Sequence, residues 1–178
     1  MAALAEAQPP TAEEIAQLEG VALLKVLRDV GDYKITRKVY MSKRATWTKD
    51  PRWGGMAHHL VADVHPMFRT AFALVLSNST RANKVDIKGF TCANSSLRSH
   101  HSIEDTMWFP RIREEHTGDV AAQVRLLEQD HAELVTIEER VMQGSMEAIL
   151  EFVNRLEELL DLEELLLVPL LLEGKGGL

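Results

Sequence analysis

The chain has 178 residues, a hydrophobic fraction of 46% and a charged fraction of 26%, the composition of an ordinary globular domain with room for a sizeable core. A net charge of -7 argues against a general nucleic-acid surface, which needs a basic excess. The single cysteine, Cys92, rules out an intrachain disulfide and fits a reducing, cytoplasmic setting.

Met1 to Thr11 lacks a basic stretch followed by an apolar run, so no secretory leader is expected. Pro9-Pro10-Thr11 before Ala12-Glu13-Glu14 reads as a helix start, a threonine cap with acids in the first turn. Ile15, Leu18, Val21, Leu24 and Leu27 continue one helix to an end near Gly31. From Asp32 to Gly55 the chain reads as a long connection, packed over the rest through Trp47 and Trp53. Its basic residues (Lys34, Arg37, Lys38, Lys43, Arg44, Lys49) read as a solvated surface. Four longer helices are expected next. The first runs from about Met56 to Leu76 and is broken by Asn78-Ser79-Thr80. The second runs from about Asn83 to Ile112, with Gly89 a weak point. The third runs from Thr117 or Gly118 to near Gly144. The fourth is capped by Ser145 and reaches Glu173, where Gly174, Gly176 and Gly177 end it. The apolar run near Leu165–Leu172 is too short to cross a bilayer and is interrupted by Pro169, so no membrane partner is expected. The expected fold is therefore all-α: an up-and-down antiparallel four-helix bundle over 56–178, with an additional N-terminal helix and connecting segment over 1–55.

The second and fourth helices resemble each other. His100-His101-Ser102-Ile103-Glu104-Asp105 through Phe109-Pro110 lies over Leu159-Leu160-Asp161-Leu162-Glu163-Glu164 through Val168-Pro169, so Glu104 falls on Glu163 and Pro110 on Pro169. Each segment follows a helix with one well-placed histidine, His65 or His131. Two αα-hairpins related by an approximate two-fold would bring equivalent groups from four helices to one point. Glu104 is one turn beyond His100, so the two share a face, and Leu97, Met107 and Trp108 suggest that this face points inward. Val61, Phe68 and Phe72 share the face of His65, and Leu127 and Leu134 that of His131. An inward carboxylate without a partner costs several kcal/mol, which a divalent cation offsets. Imidazole with carboxylate suits iron, manganese or zinc.

Val64-His65-Pro66-Met67-Phe68-Arg69, His100-His101-x-x-Glu104-Asp105 through Trp108-Phe109-Pro110, Gln129-Asp130-His131, and Glu163-Glu164 through Val168-Pro169 resemble the hemerythrin-like, or HHE cation-binding, domain. The resemblance covers about residues 56–173. It implies a four-helix bundle around a non-haem di-iron centre that binds or senses oxygen, or handles iron, nitric oxide or peroxide. His65 and His100 would hold one iron, His131 the second, and Glu104 and Glu163 would bridge. The family repeats His-x-x-x-Glu on its last helix, but here Leu159 stands where that histidine is expected, and neither Glu158 nor Asp161 replaces it. His101 is either a substitute ligand or a neighbour of the site. The other outcomes are a one-metal site of His65, His100 and Glu104, or an empty bundle acting as an interaction module through its N-terminal segment. Retained Glu104 and Glu163 favour metal, and an open position favours oxidase- or peroxidase-like reactivity. His58, His59 and His116 read as surface or loop residues. Pro66 either starts the first helix or kinks it beside His65.

Overall fold

The computed structural model describes residues 10–174, which form helices and no strand among them. The leader reading of Met1–Pro9 and the stop signals Gly176 and Gly177 lie outside the described residues. Thr11 caps α1 (Ala12–Ile15) in a reciprocal arrangement with Glu14. The single N-terminal helix expected to Gly31 is two helices. Gly20 enters α2 (Gly20–Val30) at φ 54, a left-handed conformation through which an α-helix cannot continue. The end at Gly31 stands, with φ 60.

The connection expected over 32–55 is instead largely helix. Asp32 caps α3 (Tyr33–Trp47), whose Thr36, Val39, Tyr40, Lys43 and Trp47 are all buried. They recur at steps of three or four, a stripe obscured in the sequence by the basic residues between them. The basic residues lie mainly on this helix rather than in a loop: Lys34, Lys38 and Lys49 are solvent-exposed as expected, whereas Arg37 pairs with the buried Asp161 and Lys43 is buried and pairs with Glu19.

A continuous helix over 55–82 comprises α4 (Gly55–His58), a π-helical segment (His59–Val64) and α5 (His65–Ala82). The break expected at Asn78-Ser79-Thr80 is absent, because the Ser79 and Thr80 hydroxyls donate to the Val75 and Leu76 carbonyls at 2.8 Å and stay within the helix. Asn83, at φ 48, ends it. Asp86 caps α6 (Ile87–Ile103), accepting from Gly89 N–H at 2.9 Å. A Cβ on Gly89 would lie 2.5 Å from Asp86 Oδ2, so this glycine makes room for the cap and is no weak point. Gly89→Ala is expected to cost about 1–2 kcal/mol of stability; an unchanged urea midpoint would show that the cap is dispensable.

A second π segment (Glu104–Trp108) links α6 to α7 (Phe109–Glu115). Pro66 and Pro110 each occupy the second position of the α-helix that follows a π segment. The wider π turn precedes a residue that lacks an N–H and crowds the preceding turn. Pro66 therefore neither starts nor sharply breaks the helix, and His65 keeps φ -65, ψ -40. The π turn also explains a misplaced expectation: Met107 is 63% exposed and Trp108 only partly buried, since the helical period shifts after Glu104.

α8 (Asp119–Met142) and α9 (Met146–Leu172, capped by Ser145) complete the chain. α9 is the central helix, packing against α2, α3, α4, α5 and α8. Accordingly every residue from Leu159 to Val168 is buried. The N-terminal Leu23, Leu24, Leu27, Tyr40 and Trp47 belong to the same hydrophobic cluster as the α5, α8 and α9 side chains. Gly55–Ala82 is long and apolar enough to cross a membrane by length and composition, while its Phe68, Phe72 and Val75 are buried in that cluster.

Candidate metal centre

Two groups of side chains lie within the core, each with ligand atoms inside 4.8 Å of one another: His65, His100, Glu104, Glu163, and His101, Glu104, His131, Glu163. All six sequence-derived candidates are thus brought together, and the two groups share both glutamates. Adjacent histidines on one helix both reach the interior because Glu104 is four residues beyond His100 and three beyond His101. It therefore sits one turn on, between them.

Each glutamate spans the two groups. Glu104 Oε1 is 3.4 Å from His100 Nε2 and Oε2 is 3.8 Å from His131 Nε2. Glu163 Oε1 is 2.8 Å from His131 Nε2 and Oε2 is 3.6 Å from His65 Nε2. Glu104, Glu163 and His65 are fully buried. The His101 and His131 rings stack at 3.8 Å and 10°, and Phe68 and Phe109 lie against His100 and His131.

Six buried polar atoms at this point have no hydrogen-bond partner among the described residues: Nε2 of His65, His100 and His101, both oxygens of Glu104, and Oε2 of Glu163. Buried polar atoms are nearly always paired, and each orphan costs about 1–3 kcal/mol. Such a concentration of lone-pair donors fits a cation, so the buried His/Glu groups can hold a metal ion.

Two acids missed by the sequence reading stand behind the histidines. Glu164 Oε1 is 2.9 Å from His65 Nδ1, and Asp105 Oδ1 is 2.8 Å from His131 Nδ1. These two positions follow the shared glutamates in each half of the repeat, and each backs the histidine of the other hairpin. The signal was the Glu-acid pair in both halves. A carboxylate on Nδ1 fixes the ring so that Nε2 is available to a metal. Asp161 does not approach the cluster; it accepts from Arg37 at 2.6 Å and Arg69 at 2.8 Å. Glu158 pairs with Arg155. Leu159 is buried, and the second group is completed by His101. His58 and His59 are exposed on the helix over 55–82, and His116 caps α7.

Burial pushes His100 down to about 4 and His101 to about 3, so both are neutral lone-pair donors at pH 7. Burial, then the neighbouring Glu163, pushes Glu104 well above the carboxylate range. Burial also opposes charge on Glu163, but the His131 hydrogen bond outweighs it and holds the carboxyl low. Burial disfavours the His131 cation, yet hydrogen bonds with Asp105 and Glu163 lift it to about 10. The folded metal-free chain therefore keeps a His131 proton that the unfolded chain loses above the ordinary histidine value of 6.5. The stability contributed by that proton is complete below 6.5 and is lost as pH rises through about 10. The metal-free protein is expected to show a falling urea midpoint from pH 7 to 10. With a saturating divalent metal the trend reverses, since the ion displaces this proton. A metal-free midpoint that does not fall would show His131 to be neutral.

A cleft of about 330 Å³ opens beside the second group and is lined by His101, Ser102, Asp105, Thr106 and His131 among others. No family model, curated protein or solved structure matches this chain.

Proposed function

We propose that the chain is a hemerythrin-like non-haem iron protein. The helices over 55–82, 87–115, 119–142 and 146–172 form an up-and-down antiparallel four-helix bundle around two iron ions. His65 and His100 would hold one ion, His101 and His131 the other, and Glu104 and Glu163 would be shared by both. The observation that carries this reading is the set of six unpartnered buried atoms, contributed by three helices and divided between two groups that share both carboxylates, with His131 joining them from the fourth.

The charge count agrees. Glu104, Glu163, Asp105 and Glu164 are four carboxylates in contact with the histidines, matching two divalent cations. Imidazole and carboxylate donors suit iron, and a bound iron pair supplies one-electron redox chemistry toward a small ligand such as oxygen, nitric oxide or peroxide. The chain's own residues set the conditions for it. Asp105 and Glu164 hold His131 and His65 by Nδ1. Phe68 and Phe109 wall the histidines with apolar surface. The cleft at Ser102 and Thr106 gives a small ligand access to the His101–His131 side.

Anaerobic reconstitution with iron(II), followed by metal analysis and absorption spectra before and after air exposure, tests the reading. Two irons per chain and an air-dependent spectrum are the expected result. A ratio near one reduces it to a half-site, and no retained metal supports the alternative, an empty bundle acting as an interaction module.

A further inference from the structure

Among the described residues, the His65 side has a support that the His131 side lacks. Tyr40, on α3, is fully buried, and its hydroxyl donates to Glu164 Oε2 at 2.6 Å. Glu164 Oε1 is left to accept from His65 Nδ1 at 2.9 Å. With the Tyr40 hydroxyl directed to Oε2 and His65 Nδ1 to Oε1, the pairing places the ring hydrogen on Nδ1, and the unpartnered Nε2 presents its lone pair to the cluster. Without the Tyr40 hydroxyl, Oε2 would lose its donor and the carboxylate would be free to turn. Arg69 does not replace it: its nearest approach to Glu164 is 3.6 Å, while it is engaged by Asp161 at 2.8 Å and by Glu157.

Tyr40 is itself immobilised. The Arg37 and Arg69 guanidinium groups lie 5.1 and 5.8 Å from its ring centroid, and Trp47 meets it edge-on at 6.3 Å. Burial, then the negative Glu164, pushes the phenol well above its ordinary value, so it remains a donor across the neutral range. By contrast, Asp105, which backs His131, is 38% exposed and lines the cleft.

We propose that Tyr40 is a positioning residue: through Glu164 it locks the tautomer and orientation of His65, and so makes the His65–His100 side the tighter of two metal positions. The N-terminal segment is then part of the metal centre. This rests on the two-metal reading above, but the locking of His65 can be measured without metal.

The test uses the full chain with ¹⁵N-labelled histidines. Long-range proton–nitrogen spectra of the metal-free wild type are expected to show His65 as a single Nδ1–H tautomer, and Tyr40→Phe a mixture. Cobalt(II) titration followed by visible absorption is expected to show the tighter position weakened about 10–100-fold in Tyr40→Phe, with the weaker one unchanged. Phenylalanine keeps the ring packing, so a purely structural tyrosine would leave both readouts unmoved. An unchanged tautomer, or an unchanged cobalt affinity, overturns the proposal. If the wild type takes up no cobalt, the two-metal reading fails, and the tautomer comparison still decides whether Tyr40 orients His65.

Discussion

Replacing Glu104 by glutamine is expected to move metal affinity and metal-free stability in opposite directions. Both Glu104 oxygens are buried and unpartnered, and burial beside Glu163 drives the carboxyl toward its neutral form. The amide has almost the same shape, carries no ionisable charge, and can donate to Glu163 Oε2, another orphan. The metal-free fold should therefore gain about 1–3 kcal/mol, the usual cost of an unsatisfied buried polar group. The same change removes the negative charge and one of the two oxygens that span the groups, and an amide nitrogen does not ligate. Binding of both ions should weaken by at least about 100-fold, beyond the 10–100-fold typical of a lost supporting contact. Urea denaturation without metal and calorimetric titration with iron(II) or zinc read the two effects. A variant that loses stability without metal would mean that Glu104 serves the fold; one that still binds two ions would remove it from the site.

The second large effect is expected at His101. His101→Phe preserves the ring stacked on His131 at 3.8 Å but removes both ring nitrogens, the unpartnered Nε2 among them. Bound metal should fall from two ions per chain to one, with the His65–His100 side still loaded. Leu159 lies one turn before Glu163, as His100 lies before Glu104, so Leu159→His in the His101→Phe background should restore the second ion. In the wild type, where on the proposed reading His101 fills that role, Leu159→His should leave the ratio at two. Two ions in His101→Phe alone would show that the stacked histidine is not a ligand.

The residues of the centre were legible because chemistry constrains them narrowly. His65, His131, the His-His-x-x-Glu of α6 and the repeat that aligns Glu163 could all be read from spacing. Their inward direction followed from Phe68, Phe72, Leu127 and Leu134, all buried. What resisted reading has physical causes. The α3 stripe is short and interleaved with lysine and arginine, so its periodicity is masked until α9 is seen beside it. The π segments shift the helical period by part of a turn, which put Met107 outside and allowed Pro66 and Pro110 within continuous helices. Asp105 and Glu164 were visible as letters, but their roles depend on contacts across 26 and 99 residues. Gly89 reads as a helix breaker by propensity, and only the Asp86 carboxylate beside it reveals the opposite.

The central place of α9 governs how the chain assembles. The contacts that fasten α3, Arg37 to Asp161 and Tyr40 to Glu164, each close a loop of 124 residues. Closing long loops delays the return from contact formation, and chains dominated by distant contacts fold more slowly than those paired between neighbours. During synthesis, α2 and α3 emerge well before α9, leaving Leu23, Leu24, Val39 and Tyr40 without the partner that later covers them. The amphipathic N-terminal helices thus wait longest for their partner during translation, and the charged residues between their apolar positions are of the kind that opposes association of exposed apolar segments.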